Sequence, residues 1–203
     1  MMKNQLTLAL LIAVLVGIII TGCSPSVGST ITFGHHDGSP IKWYILDNDE
    51  VNHRYLLFAE DVLENRPYHT EERAITWEQS TIRSWLNNDF FESAFTSEEK
   101  AKIPKVTVIN DGNPDFDTIG GNNTQDYVFL LSINEVKTFL PSYISADDNM
   151  CTKIRCTGEW WLRSPGHNID NAALVSIDGA LGTYGLSVYY DFIGVRPALW
   201  MNY

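Results

Sequence analysis

Two runs of apolar residues in the first third of the chain flank a polar cluster. Residues 41–46 and 54–59 are mostly aliphatic and aromatic, and residues 47–50 between them are Asp, Asn, Asp and Glu. Runs of this composition on either side of an Asn/Asp cluster are typical of two paired strands joined by a turn. The pattern therefore predicts an antiparallel hairpin over residues 41–59.

Capping boxes predict where three helices begin. In each box the oxygen of a Ser or Thr accepts from a backbone amide of the first turn, and a Glu or Gln three residues later bonds back. The boxes begin at Thr76, Thr96 and Ser132. We expect the second and third helices to end before Pro104 and Pro141, because proline cannot continue a helix.

The first of these helices has an apolar face. Ile82 and Leu86 lie four residues apart and Trp77 and Trp85 lie eight apart, so all four fall on one side of a helix. We expect Trp77, Trp85 and Leu86 to be buried. The two asparagines that follow Leu86 are expected to end the helix.

Short apolar runs separated by turn residues replace the helical pattern in the last third of the chain. They predict strands over residues 159–163, 172–177, 186–190 and 195–200. Gly179, Gly182 and Gly185 recur among them and are expected to shape a hairpin or bulge. Early helices and late antiparallel strands give an α+β fold class, and because no repeat or low-complexity tract divides residues 31–203, we predict a single domain.

The N-terminal residues resemble an export signal. Residues 6–20 are uncharged and apolar, and this stretch is shorter than the ~20 residues of a membrane-spanning helix. Ile-Thr-Gly-Cys at residues 20–23 resembles the lipobox of bacterial lipoproteins, in which the Cys is diacylated and the chain is cut before it. This predicts a lipoprotein signal peptide at residues 1–22, lipidation of Cys23 and a flexible tether at residues 23–30. The alternatives are a plain signal peptide followed by an incidental Cys, or an uncleaved anchor.

The charge of the chain narrows the choice of partners. Among 203 residues there are 14 Lys and Arg against 25 Asp and Glu, a formal net charge of −11. Nucleic acids need a basic footprint, so no nucleic-acid partner is expected. An acidic surface also gives no attraction to anionic lipid, and membrane attachment must therefore come from the anchor.

Two further cysteines, Cys151 and Cys156, are predicted to form a disulfide, because an exported protein lies in an oxidising setting. Two reduced thiols are the alternative. A zinc or redox site would need more ligands or a C-x-x-C spacing.

Oxygen-bearing side chains alternate along the loop that spans residues 110–126. They are Asp111, Asn113, Asp115 and Asp117. Calcium loops use such an alternation to surround one cation, but this loop has Phe116 where the EF-hand pattern has Gly and Asn122 where it has Glu. A polar surface loop is the preferred interpretation, and a calcium site is the alternative.

Hydrogen-bonding side chains crowd the segment after the Trp-Leu-Arg-Ser-Pro-Gly motif. Together with an aromatic residue of the adjoining hairpin, they form the predicted ligand site: His167, Asn168, Asp170, Asn171 and Tyr184. Glycan and peptide sites both combine a few directed hydrogen bonds with aromatic stacking. The alternative is that the polar residues cap turns and the tyrosine fills the core.

Motifs of known reaction chemistry do not appear in the chain. It has no G-x-S-x-G elbow, no H-E-x-x-H, no P-loop and no dinucleotide fingerprint. No catalytic residue is predicted. Arg163 and Arg196 lie in apolar, strand-like motifs, where guanidiniums are usually buried and paired with carboxylates or backbone carbonyls. We expect structural roles for both, with ligand recognition as the alternative.

Four ordered blocks resemble an uncharacterised bacterial domain-of-unknown-function family, which is common in secreted, surface and lipoprotein chains. The blocks are Trp77 with Ser80, RSWLN at 83–87, Phe90, Phe95, Glu98 and Glu99; VFLLS at 128–132 with Glu135; WWLRSPG at 160–166; and GVRPAL at 194–199. Four motifs in one order make this resemblance specific, and it spans roughly residues 31–203.

The final Gly-x-Arg strand after a Trp-rich strand is similar, more distantly, to the formylglycine-generating-enzyme and C-type-lectin-like folds. This resemblance implies a twisted antiparallel sheet with two or three helices and long loops. Catalysis is not implied, because the copper-binding cysteine pair of those enzymes follows the Trp strand, whereas Cys151 and Cys156 precede Trp160.

These observations favour a lipid-anchored extracytoplasmic binding or interaction domain on the bacterial cell membrane, with a glycan or protein ligand and without catalysis. An enzyme of the formylglycine-generating type and a structural envelope lipoprotein are the alternatives. No cofactor is expected apart from the calcium alternative of the acidic loop.

Overall fold

A computed structural model of the chain describes residues 25–140 and 158–203. The predicted lipidation site Cys23 and the predicted disulfide partners Cys151 and Cys156 lie outside the described residues. No helix within the two described ranges is long and apolar enough to cross a bilayer.

The described residues form two five-stranded sheets and one two-stranded sheet, together with short helices. In chain order the strands are β1 (Thr30–His36), β2 (Ser39–Asp49), β3 (Arg54–Ala59), β4 (Glu64–Asn65), β5 (Val106–Val108), β6 (Thr124–Asp126), β7 (Val128–Phe129), β8 (Trp160–Pro165), β9 (Asn171–Val175), β10 (Leu181–Ser187), β11 (Gly194–Val195) and β12 (Ala198–Asn202). The α-helices are α1 (Thr81–Trp85), α2 (Phe91–Ala94), α3 (Ser97–Lys100) and α4 (Ile133–Phe139).

Sheet A has the order β1-β2-β3-β12-β7 and its pairs are antiparallel. Sheet B has the order β10-β9-β8-β11-β4, and in it β11 runs parallel to β8. The chain passes between sheets A and B from β3 to β4, from β7 to β8 and from β11 to β12. Mixed strands and helices confirm the α+β fold class, while the C-type-lectin-like detail stays a prediction.

The early hairpin is confirmed. Strand β3 has the predicted bounds, and β2 extends on both sides of the predicted run. Trp43, Ile45, Leu57 and Phe58 are fully buried. In the last third, β8 and β9 match the predicted strands closely, whereas Arg196 and Pro197 divide the last predicted strand into β11 and β12.

The predicted capping boxes at Thr96 and Ser132 are confirmed, with both reciprocal bonds present at each. The box at Thr76 is wrong, because the Thr76 side chain caps nothing. Residues 77–79 form a 3-10 turn, and Ser80 instead accepts from the amide of Arg83. Helix α1 therefore begins four residues later than a Thr76 cap requires.

The predicted helix end at the two asparagines is also wrong. A π-helical turn, Leu86–Phe90, carries the backbone from α1 into α2. Asn87 stays in this turn because its side chain accepts from the amide of Tyr127 (2.7 Å) and donates to the carbonyl of Val128 (2.8 Å).

Trp77 and Leu86 are buried as predicted, but Trp85 is only partly buried. The guanidinium of Arg66 lies over the Trp85 ring, 4.2 Å from its centroid. A cation above a partly exposed indole ring is a favourable arrangement. Trp85 therefore lies at the edge of the core, with one face of its ring covered by Arg66.

The structural roles expected for the two motif arginines are confirmed. Arg163 and Arg196 are 4% and 1% exposed. Arg163 forms a two-pronged ion pair with Glu135, in which one contact is 2.9 Å. Arg196 donates to the carbonyl of Ala59 (2.8 Å) and lies over the ring of Phe58 at 4.4 Å.

Candidate functional site

Three rings meet at one end of sheet B, two of them exposed and that of His167 half-buried, and we call them the aromatic face: Phe116, His167 and Tyr184. The rings of His167 and Tyr184 stack with centroids 3.7 Å apart and an interplanar angle of 12°. Phe116 stands nearly perpendicular to Tyr184, with centroids 5.7 Å apart and an angle of 85°. Offset and perpendicular arrangements are the favourable ones for aromatic pairs, so the three rings hold one another in place.

Hydrogen bonds at both ring nitrogens fix the orientation of His167. Its Nδ1 lies 3.0 Å from the carbonyl oxygen of Tyr184, which only accepts, so Nδ1 carries the proton. Its Nε2 then accepts from Nδ2 of Asn168 at 2.9 Å. The backbone amide of His167 also donates to the Tyr184 carbonyl, at 2.8 Å. The imidazole is therefore held parallel to the phenol ring.

The acidic loop, residues 110–126, is bonded to sheet B by the side-chain amide of Asn113. This side chain is 1% exposed, and its Nδ2 donates to the carbonyls of Pro165 (2.9 Å) and Thr183 (2.7 Å). The Oγ1 of Thr118 donates to the carbonyl of His167 at 2.9 Å. These bonds bring Phe116 beside His167 and Tyr184.

A β-bulge in the β9–β10 hairpin exposes Tyr184. The register shifts between Gly182 and Leu186, and Gly185 has a φ of +76° within the shift. A Cβ at Gly185 would lie 2.5 Å from the carbonyl oxygen of Ala172. Bulges redirect side chains at sheet edges, and here only glycine allows the backbone that exposes the ring. The prediction that these glycines shape a hairpin or bulge is confirmed for Gly185, within the register shift, and for Gly179, which has a φ of +86° in the turn between β9 and β10.

The surface around the aromatic face combines exposed apolar groups with a shallow depression. Tyr184 is 60% exposed, Phe116 42% and Ile119 66%. The depression has a volume of about 570 Å³ and is lined by Gly112, Asn113, Pro114, Thr118, Ile119 and Gly121 among others. Clustered apolar groups beside a concave surface mark a binding site more than scattered ones do.

A buried polar network supports this region from below. Besides its pairing with Glu135, Arg163 donates to the carbonyl of Ile109 at 2.9 Å, where the acidic loop begins. The hydroxyl of Tyr68 donates to the carbonyl of Arg163 at 2.9 Å. Burial raises the pKa of Tyr68, so this phenol keeps its proton and remains a donor.

The predicted ligand residues separate into two groups. His167, Asn168 and Tyr184 come together at the aromatic face. Asp170 and Asn171 lie next to each other: with the Asn171 carboxamide turned so that both of its ends are satisfied, its nitrogen donates to Oδ1 of Asp170 at 2.7 Å and its oxygen accepts from the backbone amide of Ser187 at 3.3 Å. This second pair shapes the turn that presents the first group.

The acidic loop residues do not converge. Asp111 accepts from the amide of Asn134 at 3.0 Å, Asn113 is buried against sheet B, and Asp115 and Asp117 are exposed. Within residues 25–140 and 158–203 no three His, Cys, Asp or Glu side chains gather in a way that would hold a metal ion. The calcium site stays a prediction without support from this geometry.

Sequence reasoning missed Phe116 and Ile119 as members of the site. Both are large apolar residues inside a loop that is otherwise rich in Asp, Asn and Gly. A large apolar residue in a polar loop could have indicated a binding role. The comparison with calcium loops treats Phe116 only as a departure from the EF-hand pattern.

No curated protein and no solved structure matches the chain. A family model does match it, over residues 52–203, which include every strand of sheet B and the whole aromatic face. The chain therefore belongs to the family described as a domain of unknown function, DUF6273.

Proposed function

We propose that the protein is a lipid-anchored extracytoplasmic domain of the bacterial cell membrane that binds a glycan at its aromatic face. The observation that carries this proposal is the exposed ring of Tyr184, stacked on His167 and flanked by Phe116 beside a shallow depression. Aromatic rings are more stable in the core than in water. A cluster of rings kept at the surface therefore favours a role in recognition.

The chemistry of the face suits a sugar ring. The C–H-bearing side of a pyranose is flat and apolar and stacks on an aromatic ring, while its hydroxyls need a few directed partners. Tyr184 offers the ring, and the exposed carboxamide of Asn168, held by His167, offers a donor and an acceptor. The acidic chain, with its net charge of −11, favours neutral or basic glycans over polyanionic ones.

The extracytoplasmic location rests on the N-terminal sequence. An apolar stretch is followed directly by Ile-Thr-Gly-Cys at residues 20–23, the pattern that precedes diacylation of Cys23. Two acyl chains give stable anchoring where one does not. Intact-mass spectrometry of the protein from bacterial membranes is expected to show a diacylated Cys23 at the N-terminus, and an unmodified chain with an intact bond between residues 22 and 23 would refute this.

A glycan array run in parallel with a peptide array tests the ligand. We compare the parent with Tyr184→Ala and Phe116→Ala, and with Tyr189→Ala as a matched control, because Tyr189 is an exposed tyrosine (44%) outside the face. Loss of an aromatic stack is worth ~0.5–1.5 kcal/mol, so binding should weaken by up to about tenfold in the first two variants only.

The other outcomes are equally informative. Glycan binding that survives both substitutions would place the site elsewhere on the surface. Binding to peptides alone would replace the glycan by a protein ligand at the same face. Binding to neither array would favour a structural envelope lipoprotein.

A further inference from the structure

The residues that follow the predicted lipidation site are held against sheet A. The amide of Gly28 donates to the carbonyl of Ile45 (2.9 Å), and the amide of Ile45 donates to the carbonyl of Ser29 (3.0 Å). The hydroxyl of Tyr55 donates to the carbonyl of Pro25 (3.1 Å). Residues 23 and 24 of the expected tether lie outside the described residues, and from Pro25 onward the chain is bonded to the domain.

The direction of this segment fixes where the anchor leaves the domain. Thr30 pairs with Tyr44, and the residues before it continue along β2 toward the turn at residues 50–53. Pro25 is bonded to Tyr55, whose partner in β2 is Asn48 near that turn. Pro25 comes two positions after Cys23 in the sequence, and two residues of extended chain span at most about 7 Å.

Apolar and aromatic side chains occupy the same end of sheet A, and we call them the anchor-side surface: the exposed Val51, His53 and Tyr203 and the half-buried Trp200. Val51 is 88% exposed and Tyr203 is 55% exposed. The ring of Tyr203 stacks on Tyr55 with centroids 4.4 Å apart, and the ring of His53 lies 6.0 Å from that of Tyr203. Trp200 lies beneath the guanidinium of Arg54 at 4.4 Å.

This composition suits the boundary between lipid headgroups and acyl chains. Tyr and Trp concentrate there because their rings are apolar and their tips are polar, and Arg places its stem on apolar surface with its charge in water. The charge of Arg54 is balanced by Asp49 at 2.9 Å, so the surface gains little from anionic lipid. Affinity must then come from the acyl chains, and the surface contributes orientation.

From this geometry we infer that the anchor-side surface rests on the membrane that holds the Cys23 lipid, and that the aromatic face points away from it. The inference rests on the proposed lipid anchor. Strands β3 and β12 lead from the anchor-side end, where Arg54 pairs with Asn202, to the other end, where Phe58 pairs with Ala198. Beyond that other end the chain enters sheet B, which carries Tyr184.

Amide hydrogen exchange tests the orientation. The lipidated full-length protein is bound to vesicles of phosphatidylethanolamine and phosphatidylglycerol, and the Cys23→Ser protein mixed with the same vesicles is the control. We expect the amides of residues 50–53 to exchange several-fold more slowly in the bound protein, and those of residues 112–121 and 181–187 to keep their rates. Bound protein with unchanged rates at residues 50–53, or with slowing at residues 112–121, would overturn the inference and leave the anchor intact.

A matched pair of variants sharpens the result. Val51→Asp places a charge on the anchor-side surface, and Ile177→Asp places one on a comparably exposed residue (61%) in the β9–β10 turn of sheet B. Neither residue is in the core, so both variants should fold. Val51→Asp is expected to remove the slowing at residues 50–53 and Ile177→Asp to preserve it, and equal behaviour of the two would overturn the inference. A protein that carries no lipid and fails to bind vesicles would instead overturn the proposed anchor, and the orientation with it.

Discussion

The two five-stranded sheets are built by different means. In sheet A, β1, β2 and β3 are consecutive and pair through short turns. In sheet B, side chains bond to distant backbone carbonyls: Tyr68 donates to Arg163 and Trp161 of β8 donates to Arg66, each across 95 residues, and Asn113 donates to Pro165 across 52. Sheet B also has three consecutive strands, β8, β9 and β10, and sheet A also pairs β3 with the distant β12. The contrast therefore lies in the side chains, because in sheet B single side chains from loops are bonded to the strands over long sequence distances.

The binding surface therefore lies on sheet B, where the loss of a single side chain is expected to lower stability most. A local hairpin loses little when one surface residue changes, because its backbone ladder remains. Sheet B concentrates its support in a few buried donors, each of which leaves unsatisfied carbonyls when it is removed. The same concentration of support lets an irregular sheet edge with a bulge hold the three rings of the aromatic face in place.

The largest effect is expected from Arg163→Ala. The substitution leaves Glu135 without its partner and removes a donor from the carbonyl of Ile109, so it should lower the free energy of unfolding by about 3–5 kcal/mol. The comparison is Arg54→Ala in sheet A, whose more accessible pair with Asp49 should be worth about 1 kcal/mol or less. Urea unfolding followed by tryptophan fluorescence measures both, and equal losses would contradict the contrast between the sheets.

Gly185→Ala should lower the free energy of unfolding somewhat less, by about 3 kcal/mol. It adds the penalty of a left-handed backbone to a clash with Ala172. Gly38 in the β1–β2 turn is a close control, since it has the same φ of +76° and no atom within 4 Å of the place that a Cβ would occupy. Gly38→Ala should therefore cost only the backbone penalty, about 1–2 kcal/mol. Thermal unfolding of both variants isolates the clash, and identical shifts would show that the bulge relaxes freely.

Asn113→Ala should lower the free energy of unfolding by about 2 kcal/mol, because the buried carbonyl of Pro165 and the half-buried carbonyl of Thr183 lose their donor. It should also release Phe116 from Tyr184, so glycan binding is expected to weaken with it. Asn168→Ala is the control for stability, since Asn168 is exposed and its loss should leave unfolding unchanged. An Asn113→Ala protein that keeps the parent's unfolding midpoint would show that Asn113 does not hold the acidic loop.

The smallest effect concerns Glu99, which joins α3 to sheet A. Burial raises the pKa of Glu99, but hydrogen bonds from Thr96 and from the amide of Gly34 outweigh it and leave the pKa below its usual value. Its contribution is therefore present above the unfolded pKa of ~4.3 and is lost as the pH falls through the folded pKa.

Glu99→Gln should accordingly cost about 0.5–1 kcal/mol near neutral pH. The difference from the parent should shrink as the pH falls below about 4, where the parent's carboxyl also becomes neutral. Unfolding of both proteins across this range measures the difference, and a gap that stays constant at low pH would assign the loss to packing instead of charge.

The features that could be predicted from the sequence are those encoded within a few residues. The bounds of β3 follow from an apolar run beside polar turn residues, and α3 and α4 follow from boxes in which both partners lie three residues apart. The box at Thr76 fails for a tertiary reason. Trp77 inside it donates to the buried carboxylate of Asp126 at 2.9 Å, and no local pattern reveals that partner.

The candidate site shows the same limit. His167 and Tyr184 could be predicted from the density of polar and aromatic residues near the Pro165-Gly166 turn. Phe116 could not, because only the bonds of Asn113 and Thr118 carry its loop to that turn, across 52 and 49 residues. The long-range bonds from loops that support sheet B are thus also the reason that only part of its site could be predicted.

The carboxylate of Glu135 makes two contacts that link the opening of a helix to the opening of a strand. It completes the capping box at the start of α4 and also holds Arg163 in the middle of β8. Opening of either contact frees the Glu135 side chain to move away from the other. The helix and the strand should therefore open together. Native-state hydrogen exchange is expected to show residues 136–139 and 162–164 as one cooperative unit with a common opening free energy, although 28 residues separate Glu135 from Arg163 in sequence.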